Sequence, residues 1–503
     1  MGAPLAIAYR IAMPEPATHL YEIAIDIDGV RSSALPLQLP VWSPGRYGRM
    51  DFAKNIQDFR ATNASGTPLA WDKTNGSRWV VSTKGGPVRV TYRVFANALS
   101  GTFSVLDTAH ANWNGAGLFM YVEEHKPDPV TLTIAPPAGW RVINGDTKAT
   151  GQLVYRFENY DRLVDTPTEV AAAFLVDSFV VDGRTYRTVV HHNGAPPAGA
   201  RARFVRDVER IVRYENSVFS PPPLRQYTFL FNIGYDGSDG MEHLYSTEIM
   251  SRRRWADTML VLPGIGTAAH EYFHVWNVKR VRPLALGPFD YTREVYQPSL
   301  WVAEGWTQYY GQAALHRAGI TDKEEFYGSM AGLIREMLTA PGRKEMSART
   351  SSFHAPFWDG APQAQPTNAE NTVFTYYSKG AGLALYLDLY LRGTSRNTRS
   401  LDDVFNALRQ RSWGAPNASY YLQGRGYTEL DVERAASAVA GEDMHAWFER
   451  YVGSTQDPDY DAVLTKLGLR LVRDGAAWRL EETSDASAEQ ARIRDAWVRG
   501  SKG

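Results

Sequence analysis

The chain has 503 residues, more than a single hydrophobic core usually accommodates, so we expect two or three domains. Its formal net charge of −1 and its lack of a long basic run argue against nucleic acid and anionic membranes as partners. It contains no cysteine, which excludes disulfides and thiolate ligands. A bound metal ion would therefore need His, Asp or Glu side chains.

The sequence shows no sign of membrane insertion or export. No apolar run reaches the length of a transmembrane helix, and the N-terminus lacks the basic and apolar regions of a signal peptide. We therefore expect a soluble protein of the cytoplasm, or of the periplasm if a signal peptide has been removed. The sequence leaves the oligomeric state open.

The first part of the chain has the pattern of β-structure. Apolar and polar side chains alternate at 21–28, 88–95 and 130–135, and clusters of Gly, Pro and Asn separate these runs. Such short alternating strands are typical of an antiparallel sheet or sandwich. We predict an N-terminal antiparallel β-domain over residues 1–192, ending before the Pro-rich turn at 194–199.

Helical patterns dominate the rest, which makes the whole chain an α+β multidomain protein. Residues 200–218 carry apolar side chains at helical spacing, and a strand pattern follows at 227–233. Further helices are predicted at 268–278 (with Thr267 as N-cap), 299–317, 379–392, 400–411 and 428–452. We predict a mainly α-helical domain over 193–455 and a short strand-and-helix tail over 456–503.

Residues 270–274 read His-Glu-Tyr-Phe-His and carry the clearest chemical signal. Helix positions four residues apart share a face, so His270 and His274 can bind one metal ion with Glu271 beside it. Two imidazoles and an adjacent base are what zinc hydrolases use to activate water. The alternative is a helix with two hydrogen-bonded structural histidines. A glutamate buried among aromatic residues is costly without a cation, which favours zinc.

A catalytic zinc ion requires a third protein ligand, and two carboxylates compete for that place. Glu294 lies between two prolines in a predicted loop over 288–298. Glu304 lies in an apolar helical pattern over 300–310, where a carboxylate without a cation would be out of place. We therefore predict that Glu304 is the third ligand.

Several stretches resemble one family of peptidases. Residues 270–283 (HEYFHVWNVKRVRP) and 300–310 (LWVAEGWTQYY) resemble the glycyl aminopeptidase family of gluzincin zinc metallopeptidases, which are relatives of the aminopeptidase N family. Residues 39–47 (LPVWSPGRY) and 163–169 (LVDTPTE) are similar to other segments of the same family. These stretches occur in the order that the family has them.

The resemblance carries expectations about fold and metal. It implies an N-terminal β-domain followed by a thermolysin-like, mainly α-helical zinc peptidase domain. It also implies one Zn²⁺ per chain, held by His270, His274 and Glu304, with Glu271 as the catalytic base.

The resemblance also implies a substrate-binding strand upstream of the metal helix. Residues 240–243 (GMEH) resemble the exopeptidase motif of the family. Gly240, Met241 and Glu242 would then bind substrate, and the carboxylate of Glu242 would hold its free α-ammonium group. For His243 we expect a structural hydrogen bond rather than a part in catalysis.

A tyrosine completes the implied catalytic set. Residues 376–380 (YYSKG) resemble the Tyr-x-Lys-Gly segment of the family. Tyr377 then corresponds to the residue whose hydroxyl group faces the substrate carbonyl oxygen as that oxygen becomes negatively charged. Tyr376 takes this place if the alignment is shifted by one residue.

The resemblance implies a zinc aminopeptidase that releases N-terminal residues, with glycine or alanine preferred, from peptides with a free N-terminus. Three alternatives remain: a broad aminopeptidase without that preference, a broad-specificity zinc endopeptidase, and a non-catalytic zinc-containing peptide-binding protein. Many family members carry a PDZ domain after the catalytic region. The tail over 456–503 is too short to be a complete one, so we do not expect it to bind C-terminal peptides in that way.

Overall fold

The structure is a computed structural model that describes residues 4–146, 149–255, 260–358, 367–413 and 425–501. These residues form a β-rich N-terminal unit, a larger unit that combines one sheet with most of the helices, and a C-terminal hairpin followed by a helix. The N-terminal β-domain and the helical second part agree with the predicted fold class.

The β-rich unit consists of three sheets. Its elements are β1 (Ala6–Ala12), β2 (Leu20–Asp28), β3 (Ala34–Gln38), β4 (Ile56–Asn63), β5 (Trp71–Asn75), β6 (Arg78–Ser82), β7 (Val88–Phe95), β8 (Ser104–Leu106), β9 (His110–Trp113), β10 (Tyr121–Val122), β11 (Val130–Ala135), β12 (Arg141–Asn144), β13 (Val154–Phe157), α1 (Tyr160–Val164) and β14 (Thr168–Ala171). The strand orders are β13-β11-β1-β2-β7-β4, β10-β3-β6-β5 and β12-β14-β9-β8. Pairing is antiparallel except between β1 and β11. In β7, Val88, Val90, Tyr92 and Val94 are buried, as the two-residue period predicts.

The second unit is built on a five-stranded sheet in the order β15-β16-β17-β19-β18. Its strands are β15 (Leu175–Val181), β16 (Arg184–His192), β17 (Gln226–Ile233), β18 (Asp239–Glu242) and β19 (Ser246–Ser251). We predicted that 175–192 belongs to the N-terminal domain, but β16 pairs in parallel with β17, which lies beyond the predicted boundary. We therefore propose that the domain boundary lies between β14 and β15 rather than at residue 192.

The helices of the second unit lie against this sheet and against one another. They are α2 (Ala200–Phe219), α3 (Ile265–Phe273), α4 (Thr307–Arg317), α5 (Lys323–Thr339), α6 (Ala348–Phe353), α7 (Ala355–Trp358), α8 (Ala369–Thr372), α9 (Tyr376–Thr394), α10 (Leu401–Ser412), α11 (Glu429–Ala440), α12 (His445–Tyr451) and α13 (Tyr460–Thr465). The predicted helix at 428–452 is two helices, because Gly441 ends the first in a left-handed conformation. We did not predict α5, although the side chain of Asp322 caps it by accepting a bond from the amide of Glu325.

Two predicted helices near the candidate site differ in their limits. Helix α3 begins after Gly264 rather than Thr267, and it ends at Phe273 rather than at residue 278. Beyond Phe273 the chain turns, and the Asn277 carbonyl oxygen lies 2.5 Å from Nδ1 of His274. The predicted helix at 299–317 is a π-helical turn over Trp301–Trp306 that continues into α4.

The C-terminal tail is a strand pair and a helix, as predicted: β20 (Leu469–Asp474), β21 (Ala477–Glu482) and α14 (Ala488–Arg499). It packs on the helical unit, where the indole of Trp497 donates a hydrogen bond to the Tyr309 hydroxyl oxygen at 3.2 Å. None of the helices in the described parts of the chain combines the length and the apolar character needed to cross a bilayer.

Candidate metal and catalytic site

Helix α3 and the π-helical turn bring the three predicted metal ligands together. The Nε2 atoms of His270 and His274 are 3.1 Å apart, and Oε2 of Glu304 lies 3.6 Å and 3.2 Å from them. His274 and Glu304 are buried and His270 is partly buried. A π-helical turn is an uncommon conformation that is often found at functional sites. Two imidazoles and one carboxylate are the donor set that a zinc ion binds.

A backbone carbonyl fixes the orientation of His274. The Nδ1 atom of His274 lies 2.5 Å from the carbonyl oxygen of Asn277, so Nδ1 carries the proton and Nε2 keeps its lone pair. The side-chain amide of Asn277 donates a 2.8 Å hydrogen bond to the backbone carbonyl of Val302, two residues before Glu304. Asn277 therefore connects the two segments that carry the ligands. We did not single out this residue from the sequence.

A second unpredicted residue, Tyr47, comes from the β-rich unit. Its hydroxyl group donates a 2.6 Å hydrogen bond to Oε1 of Glu304, the oxygen that does not face the histidines. Burial raises the pKa of Tyr47, and the Glu304 carboxylate raises it further, so the hydroxyl group keeps its proton. One sequence signal points to this residue, because Tyr47 is the last residue of the 39–47 stretch that resembles the peptidase family.

Glu271, the predicted base, lies beside the three predicted ligands. Its side chain is buried, and its Oε2 atom has no hydrogen-bond partner among the described residues. Burial raises the pKa of Glu271 well above its usual range; Glu242 and Glu304 add to this, and His274 opposes it. A bound cation would reverse this shift. Strand β18 crosses so closely here that a side chain at Gly240 would collide with the Glu271 carboxylate.

Glu242 ends the edge strand β18 and points into the same cluster. Single ligand atoms of Glu242, Glu271 and His274 all lie within 4.8 Å of one another. Oε1 of Glu242 is buried and has no hydrogen-bond partner among the described residues. Met241, the preceding residue, is fully buried and packs against Gly45 of the β-rich unit. The three predicted substrate-binding residues therefore lie on one strand at the metal ligands.

The two candidate tyrosines begin helix α9. The Tyr377 ring is partly buried, and its centre lies 6.2 Å from the centre of the His270 ring. Tyr376 is buried and its ring meets Tyr47 edge-on. Helix α9 can approach the π-helical turn because Gly305 and Gly380 face each other, with no room for a side chain on either. The structure thus puts both tyrosines near the ligands, with Tyr377 next to His270.

Two other residues discussed above lie outside the ligand set. Glu294 forms a 3.2 Å ion pair with Arg49 and is not among the possible metal-binding groups of the described residues. His243 is buried, and its Nδ1 atom is 3.2 Å from Asp165, which also accepts a 3.0 Å bond from Lys279. Burial alone would raise the pKa of Asp165, but Lys279 and His243 hold it well below its usual value. This agrees with a structural hydrogen bond for His243.

Two stretches of the chain match known family models. The model described as the Peptidase M61 N-terminal domain matches residues 8–172, and the model described as M61 glycyl aminopeptidase matches residues 264–383. The second match contains the three ligands and Tyr377. No curated protein sequence matches the chain significantly.

Solved structures share the fold over most of the chain. An aminopeptidase N family protein from Idiomarina loihiensis has a TM-score of 0.83 and 26% sequence identity, covering 93% of this chain and 79% of its own. A mutant M1 zinc metallopeptidase from Deinococcus radiodurans has a TM-score of 0.52 and 12% identity, covering 90% of this chain and 96% of its own. Yeast LTA4 hydrolase, solved with bestatin, has a TM-score of 0.54 and 13% identity, covering 92% of this chain and 70% of its own. The last two are similar in fold alone.

Proposed function

Because the chain belongs to the M61 glycyl aminopeptidase family, we propose that it is a zinc-dependent aminopeptidase that removes the N-terminal residue of peptides. The observation that carries this proposal is the charge of the site. Glu242, Glu271 and Glu304 bring three carboxylates to two histidines. A zinc ion and one α-ammonium group supply three positive charges and would balance them, which an internal stretch of peptide would not do.

The histidines favour one metal ion rather than two. The cluster contains two possible ligand groups, and both include His274. His274 has a single free ring nitrogen, since Nδ1 bonds to the Asn277 carbonyl. We assign zinc to His270, His274 and Glu304, because this group has two imidazoles and leaves a position open. The region around Glu242 is then free for an organic cation.

The positions of the side chains around the proposed zinc site suggest a separate role for each of them. Zinc, when bound, supplies a Lewis acid and lowers the pKa of a water molecule to about 7. Glu271 takes the proton from the attacking water and later gives it to the leaving amine, a role typically worth about 10²–10⁴ in rate. The Tyr377 hydroxyl group donates a hydrogen bond to the carbonyl oxygen as negative charge develops there, for about 10²–10³. Glu242 holds the α-ammonium group, so that only the first peptide bond reaches Glu271.

A small cavity beside Glu242 supports a preference for glycine or alanine. It encloses about 20 Å³ and is lined by Trp42, Gly45, Val278 and Phe289, among others. One water molecule needs about 10–15 Å³ by the same measure. A hydrogen atom or a methyl group of the first residue fits this space, and a leucine side chain does not unless the aromatic rings move.

The test is hydrolysis of the p-nitroanilides of Gly, Ala, Leu and N-acetyl-Gly, with a chelator and with zinc added back. We expect chelator-sensitive, zinc-restored cleavage of the free-amine substrates, with Gly and Ala ahead of Leu. Glu242→Ala should lose at least about tenfold on Gly-p-nitroanilide, because the ammonium group loses a charge-assisted hydrogen bond. Glu294→Ala is the matched control, since that carboxylate pairs with Arg49 away from the ligands.

Other outcomes would support the alternatives. Equal cleavage of free and N-acetylated substrates would indicate an endopeptidase and would remove Glu242 as the ammonium-binding residue. Equal rates for Gly, Ala and Leu would indicate a broad aminopeptidase. Zinc binding without cleavage of these anilides or of a set of free peptides would indicate a non-catalytic zinc protein.

A further inference from the structure

The loop that precedes Tyr47 reaches from the β-rich unit into the metal site. The Tyr47 side chain and Glu304 are both buried, at 3% and 1% exposure, and their oxygens are 2.6 Å apart. This bond joins residues 257 positions apart in the chain. A buried hydrogen bond to a carboxylate is stronger than one between neutral groups. Its partner, Glu304, is the residue that we assign to zinc.

The loop is held against the catalytic unit by two residues that precede Tyr47. Arg46 forms a 2.5 Å ion pair with Asp239, the first residue of strand β18. The indole of Trp42 donates a 2.6 Å bond to the carbonyl of Asp290. These anchors fix the position of the hydroxyl group relative to Glu304. The bond from Tyr47 is therefore part of the interface between the two units.

We propose that Tyr47 is a positioning residue for the metal: its hydroxyl group holds Oε1 of Glu304 so that Oε2 alone faces His270 and His274. A carboxylate with one oxygen engaged in this way binds a metal ion through the other, whereas a free carboxylate can bind through both. Binding through one oxygen preserves the open position that the substrate needs. The β-rich unit would thus contribute to zinc retention and coordination.

This inference rests on the proposed zinc site, but its test needs no substrate. The zinc dissociation constant of Tyr47→Phe is measured by competition with a chromophoric chelator, beginning with the zinc-loaded full chain. We expect zinc binding to weaken about 10–100-fold, the usual effect of losing a group that orients a ligand. The visible spectrum of the cobalt-substituted variant should also change towards higher coordination, because Oε1 becomes free to bind.

Tyr92→Phe is the matched control. It removes a buried hydroxyl group from the same unit, one that bonds to the backbone carbonyl of Leu118 at 2.7 Å. We expect it to bind zinc like the unmodified chain with an unchanged cobalt spectrum. Urea unfolding of each apoprotein shows whether a variant is folded, so that a loss of affinity is not mistaken for unfolding.

A second variant tests the anchor. Arg46→Gln keeps the tyrosine but removes the ion pair with Asp239. It should weaken zinc binding in the same direction as Tyr47→Phe and by less.

Several results would overturn the inference. One is a Tyr47→Phe protein that binds zinc within about twofold of the unmodified chain and keeps its cobalt spectrum. A lower kcat with unchanged zinc affinity and spectrum would overturn it too, since the hydroxyl group would then act on the substrate. If the unmodified chain binds no zinc, both this inference and the proposed function fail.

Discussion

The second unit contains buried carboxylates of two kinds, which differ in whether the protein itself satisfies their oxygens. At the metal site, Glu242 and Glu271 each keep one buried oxygen without a hydrogen-bond partner among the described residues. By contrast, both oxygens of Asp388 on helix α9 accept hydrogen bonds. Arg392 and the amide of Leu401 donate to one oxygen at 3.0 Å and 2.9 Å, and Tyr309 donates to the other at 2.7 Å.

The difference separates a site for a ligand from a part of the framework. A buried carboxylate without a partner is costly, so a folded protein keeps it where a bound cation or substrate completes it. A carboxylate that is already satisfied by the protein offers nothing to a ligand. Asp388 instead joins helix α9 to the start of α10 and to α4. Substitutions in the two groups should therefore change different properties.

The largest expected effect is on turnover, from Glu271→Gln. The amide is close to the carboxylate in shape but cannot take a proton, so kcat should fall about 10²–10⁴-fold. Zinc content and the unfolding midpoint should stay near those of the unmodified chain, since Glu271 is not among the proposed ligands. Metal analysis and kinetics on the same preparation check both points.

A Glu→Gln change on the surface provides the comparison. Glu336 is exposed on helix α5, and Glu336→Gln should leave kcat unchanged. If Glu271→Gln kept most of its kcat, the base would have to be another group. A buried carboxylate oxygen without a hydrogen-bond partner would then not indicate a catalytic residue in this protein.

The next effect is on stability, from Asp388→Asn. Arg392 is fully buried and would lose its nearest negative charge, so the free energy of unfolding should fall by about 3–5 kcal/mol. The kcat of the protein that remains folded should change little. Urea unfolding gives the first quantity, and kinetics normalised to zinc content give the second.

A surface ion pair serves as its control. Asp58 and Arg93 are paired in the β-rich unit with side chains about half exposed. Asp58→Asn should cost less than about 1 kcal/mol, because water screens this pair. Similar losses for the two variants would contradict the view that Asp388 supports the framework.

The sequence predicted the part of the site whose signals are local. His270 and His274 are one helical turn apart, and the apolar surroundings of Glu304 favoured it over Glu294. Tyr47 and Asn277 could not be assigned roles in this way, because their partners are set by tertiary contacts. The same reason underlies our proposal to move the domain boundary from residue 192 to between β14 and β15, since strand β16 has the same sequence pattern whichever sheet it joins.

A third buried cluster lies between the two units. It is intermediate between the metal site and the surroundings of Asp388, because only some of its polar groups have partners in the part of the chain that the structure describes. The ring of His191 on β16 stacks on His110 of β9 with centres 4.1 Å apart. Nε2 of His110 lies 2.6 Å from Glu169, and the Tyr235 hydroxyl oxygen lies 3.2 Å from Nε2 of His191. Most of these groups satisfy one another, yet Oε2 of the nearby Glu248 has no hydrogen-bond partner among the described residues.

This cluster should make stability depend on pH, with the smallest of the three effects. Burial lowers the pKa of His191 to about 4, and the neighbouring His110 contributes. Between about pH 4 and 6.5 the unfolded chain then binds more protons at His191 than the folded chain does. The contribution of His191 to the free energy of unfolding is therefore fully present above pH 6.5. It is lost as the pH falls towards 4, by at most about 3 kcal/mol. Burial also raises the pKa of Glu248. This shift changes the free energy of unfolding in the opposite direction, because the contribution of Glu248 is lost as the pH rises.

Because Glu248 opposes His191, the informative quantity is a difference between variants. His191→Gln removes the titrating group, so the gap in unfolding free energy between it and the unmodified chain should shrink as the pH falls from 7 to 5. His445→Gln, at a histidine whose side chain is mostly exposed, controls for the substitution itself. A gap that is constant with pH would mean that His191 is accommodated in its charged form. The cluster would then stabilise a positive charge, as the metal site is proposed to do. It would not resemble the surroundings of Asp388, where the protein already satisfies the buried charges.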